Sequence, residues 1–463
     1  MTEPSLAGRL RRDLGSLEAY AALLGILIGA GIFRVTTEAW VRTGPSVILG
    51  YIVLAVPVLA TSIGYCVFLS TPLGRAPGGE YSHISRTFGA YRLAFVGAWL
   101  KMISYIGALA FLSSALADYV IEISAGVLRA PHRLPLAMGS LIFFYLIHAA
   151  GVRWFGRLQV AMCAVLGLSL FVLLIPGLFA IRPANYQPFF THGAAGFASG
   201  LPALFFAYAG FESIAQAAGE VKESTRRLPA IVLKGLCGTT VIYVLMSVVA
   251  LGVLPGERLA ASTAPMAEAA AIYLPVGAAW FVNLGAIMAI ATSVNATMLV
   301  PSRLAISLAE DRLIPSWLGA VHAGTGTPLA GLTLTLAVAA LLLASGQIGL
   351  ALNVAVFALV LLYLLHSLAL LLLPRLNPQL YRSATAGISP GVQRAAAVTS
   401  IATMGALALL QVMQDLRVLR NESLSERIAG QSLTSVELVL VWGLLGLAMY
   451  LPAARRARAQ PAV

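Results

Sequence analysis

The chain has 463 residues, of which 59% are hydrophobic and only 10% charged, with a mean hydropathy of +0.88. A soluble protein of this size needs about 25% charged residues to cover its surface, so the composition excludes soluble enzymes and nucleic-acid binders and calls for an apolar solvent. The surplus of 30 Lys and Arg over 18 Asp and Glu, a net charge of +12, then reads as membrane topology, because positive charge collects in cytoplasmic loops.

Apolar runs of about twenty residues, separated by Pro, Gly and charge clusters, predict an all-α integral membrane protein with twelve spans. In chain order they centre near Ile28, Leu59, Ile106, Phe143, Ser169, Tyr208, Val244, Ala286, Leu336, Leu361, Ala406 and Gly443. The runs are too long and continuous for the period-2 strands of an outer-membrane barrel. An even count puts both termini on one side. Placing that side in the cytoplasm puts most Lys and Arg inside, counting Arg9, the stretch from Arg75 to Lys101, Arg153, Lys222, Arg303 and Arg455. The first run is followed by Phe33, Arg34 and Val35 and not by a small-x-small cleavage site, so it is expected to stay as a span. Cys66, Cys163 and Cys237 fall in apolar runs and are expected as small core residues, not as a disulfide or metal set. The sequon Asn421-Glu422-Ser423 falls on a predicted outside loop, but the dominance of Arg over Lys points to a prokaryotic inner membrane, where it is silent.

Two spans carry defects. The first contains Leu27-Ile28-Gly29-Ala30-Gly31-Ile32-Phe33, with two glycines at membrane depth. The sixth contains Ala207-Tyr208-Ala209-Gly210-Phe211-Glu212-Ser213, with a glycine beside an ionisable residue. Each run heads a block of five spans, and an odd number inverts the second block relative to the first. Interrupted helices at matching positions of two inverted halves point to the binding site of a secondary transporter. A break exposes N–H groups at one half-helix end and C=O groups at the other. The first favours a carboxylate and the second an ammonium or a cation. A site with both poles suits a zwitterion, so an amino acid is the natural ligand. Small residues at Ala30, Ala207 and Ala209 leave room for more than glycine.

Four stretches resemble the amino acid–polyamine–organocation superfamily of transporters, bacterial amino acid permease type. Gly29 to Phe33 is similar to its GxGIF run, Pro77-Gly78-Gly79-Glu80-Tyr81 to its PGGxY loop, Phe206 to Pro229 to its sixth helix and following loop, and Asn295 to Pro315 to its eighth helix and loop. The resemblance implies a leucine-transporter-like fold with 5+5 inverted repeats plus two extra helices. The implied division is a cytoplasmic segment 1–17, repeats 18–182 and 197–374, two further helices 391–453, and a cytoplasmic tail 454–463. It further implies that backbone N–H groups around Gly29, Ala30 and Gly31 hold the substrate carboxylate. Carbonyls of Leu27, Phe206, Ala207 and Ala209, beside Gly210, would receive the amino group, with Phe206 as an aromatic lid.

Glu212 is the side chain to test. A carboxyl kept at membrane depth is a functional candidate by default, suited to gating or a proton-linked step; the alternative is a carboxyl that only hydrogen-bonds the broken backbone. The fifth-helix lysine of proton-coupled relatives is absent here, with Leu166 at that position. Ser293 and Thr297, four apart on one helical face, are weak candidates for a sodium site, and a proton is preferred over sodium as the coupling ion. Arg312 replaces the usual loop glycine. Asp118 and Glu122 form either an acidic vestibule or a solvated helix end, and His148 and His366 lack a companion at ligand spacing, so packing or hydrogen bonding is the role expected of them. Glu220, Lys222, Glu223, Arg226 and Arg227 read as a mixed-charge cytoplasmic loop of topology charges and gating-loop salt bridges, not a catalytic set.

The expected function is alternating-access transport of amino acids across the cytoplasmic membrane, as a proton-linked symporter or an exchanger, with no cofactor. A polyamine or organocation transporter on the same fold and a transporter-like substrate sensor stay open. A channel would need a filter or a charged pore ring, and a membrane enzyme would need a motif such as HExxH or GxSxG. Neither is present in the sequence.

Overall fold

A computed structural model describes residues 5–459 apart from 30, 125, 263–264, 347 and 430–432. The described residues are helical with no strand, and a single bridge pairs Leu14 with Val221. The first apolar run is divided into α1 (Ser16–Leu27), a π-helical turn over Gly31–Val35, and α2 (Thr36–Thr43). There follow α3 (Val47–Leu69), a short α4 (Glu80–Phe88), α5 (Tyr91–Ile123), α6 (Arg133–Ala149) and α7 (Val152–Gly177). The second divided run is α8 (Gly193–Tyr208) with 3-10 turns at Phe211–Ala215 and Ala217–Gly219. Then come α9 (Ser224–Val253), short α10 (Gly256–Ala261) and α11 (Pro265–Tyr273), α12 (Val276–Glu310), α13 (Leu329–Ala344) and α14 (Ile348–Leu376). The chain ends with α15 (Pro378–Arg382), α16 (Pro390–Asn421), α17 (Leu424–Ala429) and α18 (Ser435–Ala459). Asn377 and Ser389 start α15 and α16 with side-chain caps onto Leu380 and Val392 N–H, each followed by Pro at the first helical position.

Among the described residues ten helices are long and apolar enough to cross a membrane, and two apolar helices, Ser16–Leu27 and Leu329–Ala344, are shorter. Their burial is graded. The apolar window of α12 is 89% buried in protein and that of the last helix only 11%. A helix that is apolar all round is buried in the core or faces lipid, so α12 is the axis of the bundle and α18 part of its lipid-facing rim. Phe171, Leu341 and Leu444 are large apolar residues turned outward from outer helices. Reciprocal indole bonds dock α18: Trp99 Nε1 donates to the Trp442 carbonyl at 2.6 Å and Trp442 Nε1 to the Trp99 carbonyl at 2.7 Å, with the rings stacked at 4.4 Å.

Three charges assigned above to cytoplasmic loops, Lys101, Glu220 and Arg303, lie inside the protein. Arg303 of α12 and Glu220 are both fully buried and joined by two bonds of 2.9 and 3.2 Å. Lys101 of α5 is equally buried, on Glu80 at the start of α4. The Glu220 segment is held further by the bridge, in which Leu14 N–H donates to the Glu220 carbonyl at 3.0 Å and Lys222 N–H to the Leu14 carbonyl at 2.9 Å. Glu220 thus forms a salt bridge, as expected of its loop, but a buried one that anchors the segment on α12. Cys66 is buried and Cys163 half-buried, but Cys237 is exposed on α9, contrary to the expectation of a core residue.

Candidate functional site

Both helix breaks have a specific backbone cause. At the first, Ile28 has φ −81° and ψ 70°, and Gly29 N–H donates back to the Leu27 carbonyl at 2.9 Å. This is an inverse γ-turn, and it ends α1 before the π-helical turn begins at Gly31. At the second, Ala209 is extended (φ −65°, ψ 142°) and Gly210 has φ 108° and ψ −13°. These are the two central conformations of a type II turn, the second of which calls for glycine. The gap at Gly210 is tight as well, since a Cβ there would lie 2.9 Å from Ile26 Cγ1.

The breaks meet each other. A Cβ on Gly31 would lie 2.5 Å from Ala207 Cα, so glycine is what lets the two chains touch. Beside this contact is a cavity of about 40 Å³ lined from both broken helices by Leu27, Gly31, Phe206, Ala207, Ala209, Gly210 and Glu212, and from α12 by Ser293 and Thr297. That volume is room for about three water molecules. The rest of the lining includes Ile26, Ala108, Leu112, Val356 and Leu359 and is mostly apolar. Of the residues singled out in the sequence, Gly29 is buried just behind this lining, and Ala30 lies outside the described residues.

Glu212 is fully buried and accepts three hydrogen bonds. Tyr105 Oη donates at 2.6 Å, Gly210 N–H at 3.0 Å, and Tyr363 Oη completes the set. The carboxyl therefore both pins the turn of the second break and ties it to α5 and α14. Tyr243 of α9 does the equivalent for the carbonyls: its hydroxyl bonds to the Leu27 carbonyl, and to the Ala207 carbonyl at 2.6 Å. One lone pair of each carbonyl thus faces Tyr243, and the Phe206 carbonyl accepts Ala209 N–H at 3.0 Å. Phe206 stands edge-on to Phe111 at 5.7 Å between centroids. Ser293 Oγ donates to the Gly25 carbonyl at 2.8 Å, within reach of Ile26 O at 3.3 Å. The hydroxyl thus meets first-helix carbonyls directly, which a serine between helices does without any ion. Among the described residues no group of three or more His, Cys, Asp or Glu could hold a metal ion.

Tyr105, Tyr243 and Tyr363 escaped the sequence reading, because an aromatic residue in an apolar span looks like packing and nothing local marks its hydroxyl partner. Asp118 is paired with Arg133 at 2.6 and 2.9 Å with both side chains partly exposed, which fits the solvated helix end better than the acidic vestibule. His366 hydrogen-bonds His83 of α4 at 3.0 Å, within the hydrogen-bonding role expected of it. His148 bonds the Asn295 carbonyl at 2.9 Å, the hydrogen-bonding role expected of it. Outside the spans, burial and then the Asp311 carboxylate push the Tyr81 phenol well above its usual range, so it stays a donor to Asp311 at 2.5 Å.

The amino acid permease family profile matches residues 14–421. The chain belongs to that family. It is 28% identical over 357 residues to the methylthioribose transporter of Bacillus subtilis (strain 168), covering 73% of this chain and 76% of that protein. It is 25% identical over 340 residues to the branched-chain amino acid permease BcaP of the same organism, covering 69% and 71%. It is also 28% identical over 331 residues to the chloroplastic cationic amino acid transporter 9 of Arabidopsis thaliana, covering 68% and 58%. The protein is thus a multi-pass membrane protein of an amino acid transporter family, whose members are permeases and not enzymes.

Proposed function

We propose that the protein is a secondary transporter of neutral amino acids, working by alternating access around the two broken helices. The observation that carries this reading is the contact of the breaks at Gly31 and Ala207 beside one cavity that both line. Backbone groups of the first break take the substrate carboxylate, carbonyls of both breaks the ammonium, and Phe206 covers the bound molecule. Glu212 is the gating and coupling carboxyl, with Ser293 and Thr297 between the first broken helix and α12. The twelve spans divide into inverted repeats 18–182 and 197–374 and an outer pair 391–453, in the cytoplasmic membrane with both termini inside.

The lining supports a choice among substrates. Its side chains are mostly apolar, and the one carboxyl in its lining is already held by three donors from the protein. Of the amino acids in the relatives' names, branched-chain ones fit such a lining better than cationic ones do. The deciding experiment is uptake of a panel of labelled amino acids and amines into proteoliposomes. Proton and sodium gradients are applied separately, with and without unlabelled counter-substrate. Neutral amino acids are expected to move, driven by protons or by exchange. Binding without flux would make the protein a sensor, and flux of amines alone would overturn the substrate class.

A further inference from the structure

Behind the cavity lies a second set of buried ionisable groups that substrate contact does not explain. Glu80 and Lys101 are each 1% exposed, and the ammonium donates to both carboxylate oxygens, at 2.8 and 2.7 Å. Glu80 also accepts the Tyr65 hydroxyl at 2.6 Å and the Gln216 amide at 3.3 Å. The two sets share Tyr105, whose hydroxyl donates to Glu212 while its ring faces the Lys101 ammonium at 5.3 Å. On the other side the Tyr65 ring packs on Phe211 at 5.2 Å and near Tyr363 at 6.4 Å, and Tyr363 is the second hydroxyl on Glu212. Two carboxyls thus flank a wall of tyrosines, with one lysine beside it.

Charge counting gives this arrangement a use. With Lys101 on Glu80 that pair is neutral, and an ionised Glu212 would be an uncompensated charge at membrane depth, which is costly. One ammonium compensates one carboxylate at a time. Resting on the transporter reading above, we propose that Glu80, Lys101 and Glu212 form a proton-coupling unit, in which the two carboxyls hold one proton between them and Lys101 accompanies whichever is ionised. In the transfer the Glu212 carboxyl loses a proton and the Glu80 carboxylate gains it. The three side chains sum to zero charge before and after. Tyr105 and Tyr65 hydroxyls, which can both donate and accept, stand at the two ends. Gln216 links the unit to the second break: it bonds Glu80 and accepts Gly78 N–H at 3.0 Å, and it follows Glu212 in the same turn segment. The other titratable groups facing the unit are Tyr65 of α3, Tyr363 of α14, and the His83–His366 pair of α4 and α14. That pair is hydrogen-bonded within itself and stacked on Phe68 and Tyr65.

The test uses the full chain in proteoliposomes with a labelled mixture of leucine, isoleucine, valine, alanine and methionine. Counter-substrate exchange and accumulation driven by an imposed proton gradient are measured on the same preparations, for the wild type, K101M and E80Q/K101M. The double variant removes both charges, so it decides the matter where K101M alone does not yield a monodisperse protein. Both variants are expected to keep at least half of the wild-type exchange, to lose proton-driven accumulation at least tenfold, and to show a flattened pH profile. A purely structural pair would lower exchange and accumulation together. Proton-driven accumulation with the wild-type pH profile in the double variant overturns the proposal. So does a wild type that exchanges but ignores the proton gradient, which leaves the transporter reading standing. A wild type with no flux of any component overturns that reading too.

Discussion

Gly31→Ala tests the contact between the two breaks. The added Cβ would sit 2.5 Å from Ala207 Cα and 2.8 Å from Ala207 Cβ, whereas carbon atoms pack at about 3.5–4.0 Å. The neighbour is backbone, not the tip of a flexible side chain, so the broken helices must part by about 1 Å. Overpacking of this kind costs about 1–3 kcal/mol. A displacement of about 1 Å separates the backbone donors of the first break from the carbonyls of the second, which a zwitterion must reach together. Substrate affinity is therefore expected to fall by about 5- to 150-fold, the equivalent of that energy. Equilibrium binding of a labelled neutral amino acid to purified protein measures this. Gly139→Ala on α6 is the control, since a Cβ there meets nothing within 4 Å. If Gly31→Ala binds within twofold of the wild type while the protein stays folded, the breaks do not frame the binding site.

Glu212→Gln offers one acceptor oxygen to the three donors that now converge on the carboxyl, so a tyrosine hydroxyl is left without its partner at a cost of about 1–3 kcal/mol. Transport by this variant is expected to be slower and to lose its pH dependence, and an unchanged rate and pH profile would remove Glu212 from the coupling scheme. Arg303→Met leaves the Glu220 carboxylate buried and unpaired, a loss of about 3–5 kcal/mol, visible as a lower thermal midpoint or failure to express. The double variant R303M/E220L should recover most of that loss, and equal stability of the single and double variants would contradict the pairing. Trp442→Leu removes a stacked ring and the indole donor to the Trp99 carbonyl; faster amide exchange in α18 with transport retained is expected, and unchanged exchange would mean that other contacts dock the helix.

Gly210 beside Glu212 marked the second break correctly, because a glycine at positive φ ends a helix whatever surrounds it. Lys101 and Arg303 were miscounted, because a charge between apolar neighbours near a span end looks the same whether it leaves the membrane or turns inward. Their partners, Glu80 and Glu220, are 21 and 83 positions away. The companion of His366 is 283 positions away.

By itself the sequence determined the apolar helices and the places where two of them break. Those are local matters: the bilayer acts on each segment separately, and the backbone bonds of a spanning helix are satisfied within the segment. Only the tertiary structure decided which buried polar groups answer one another. Tyr243 reaches the Leu27 carbonyl across 216 positions and Tyr363 reaches Glu212 across 151. Such pairings form between helices, where packing brings distant residues to one depth and one face, and no window of sequence contains both partners.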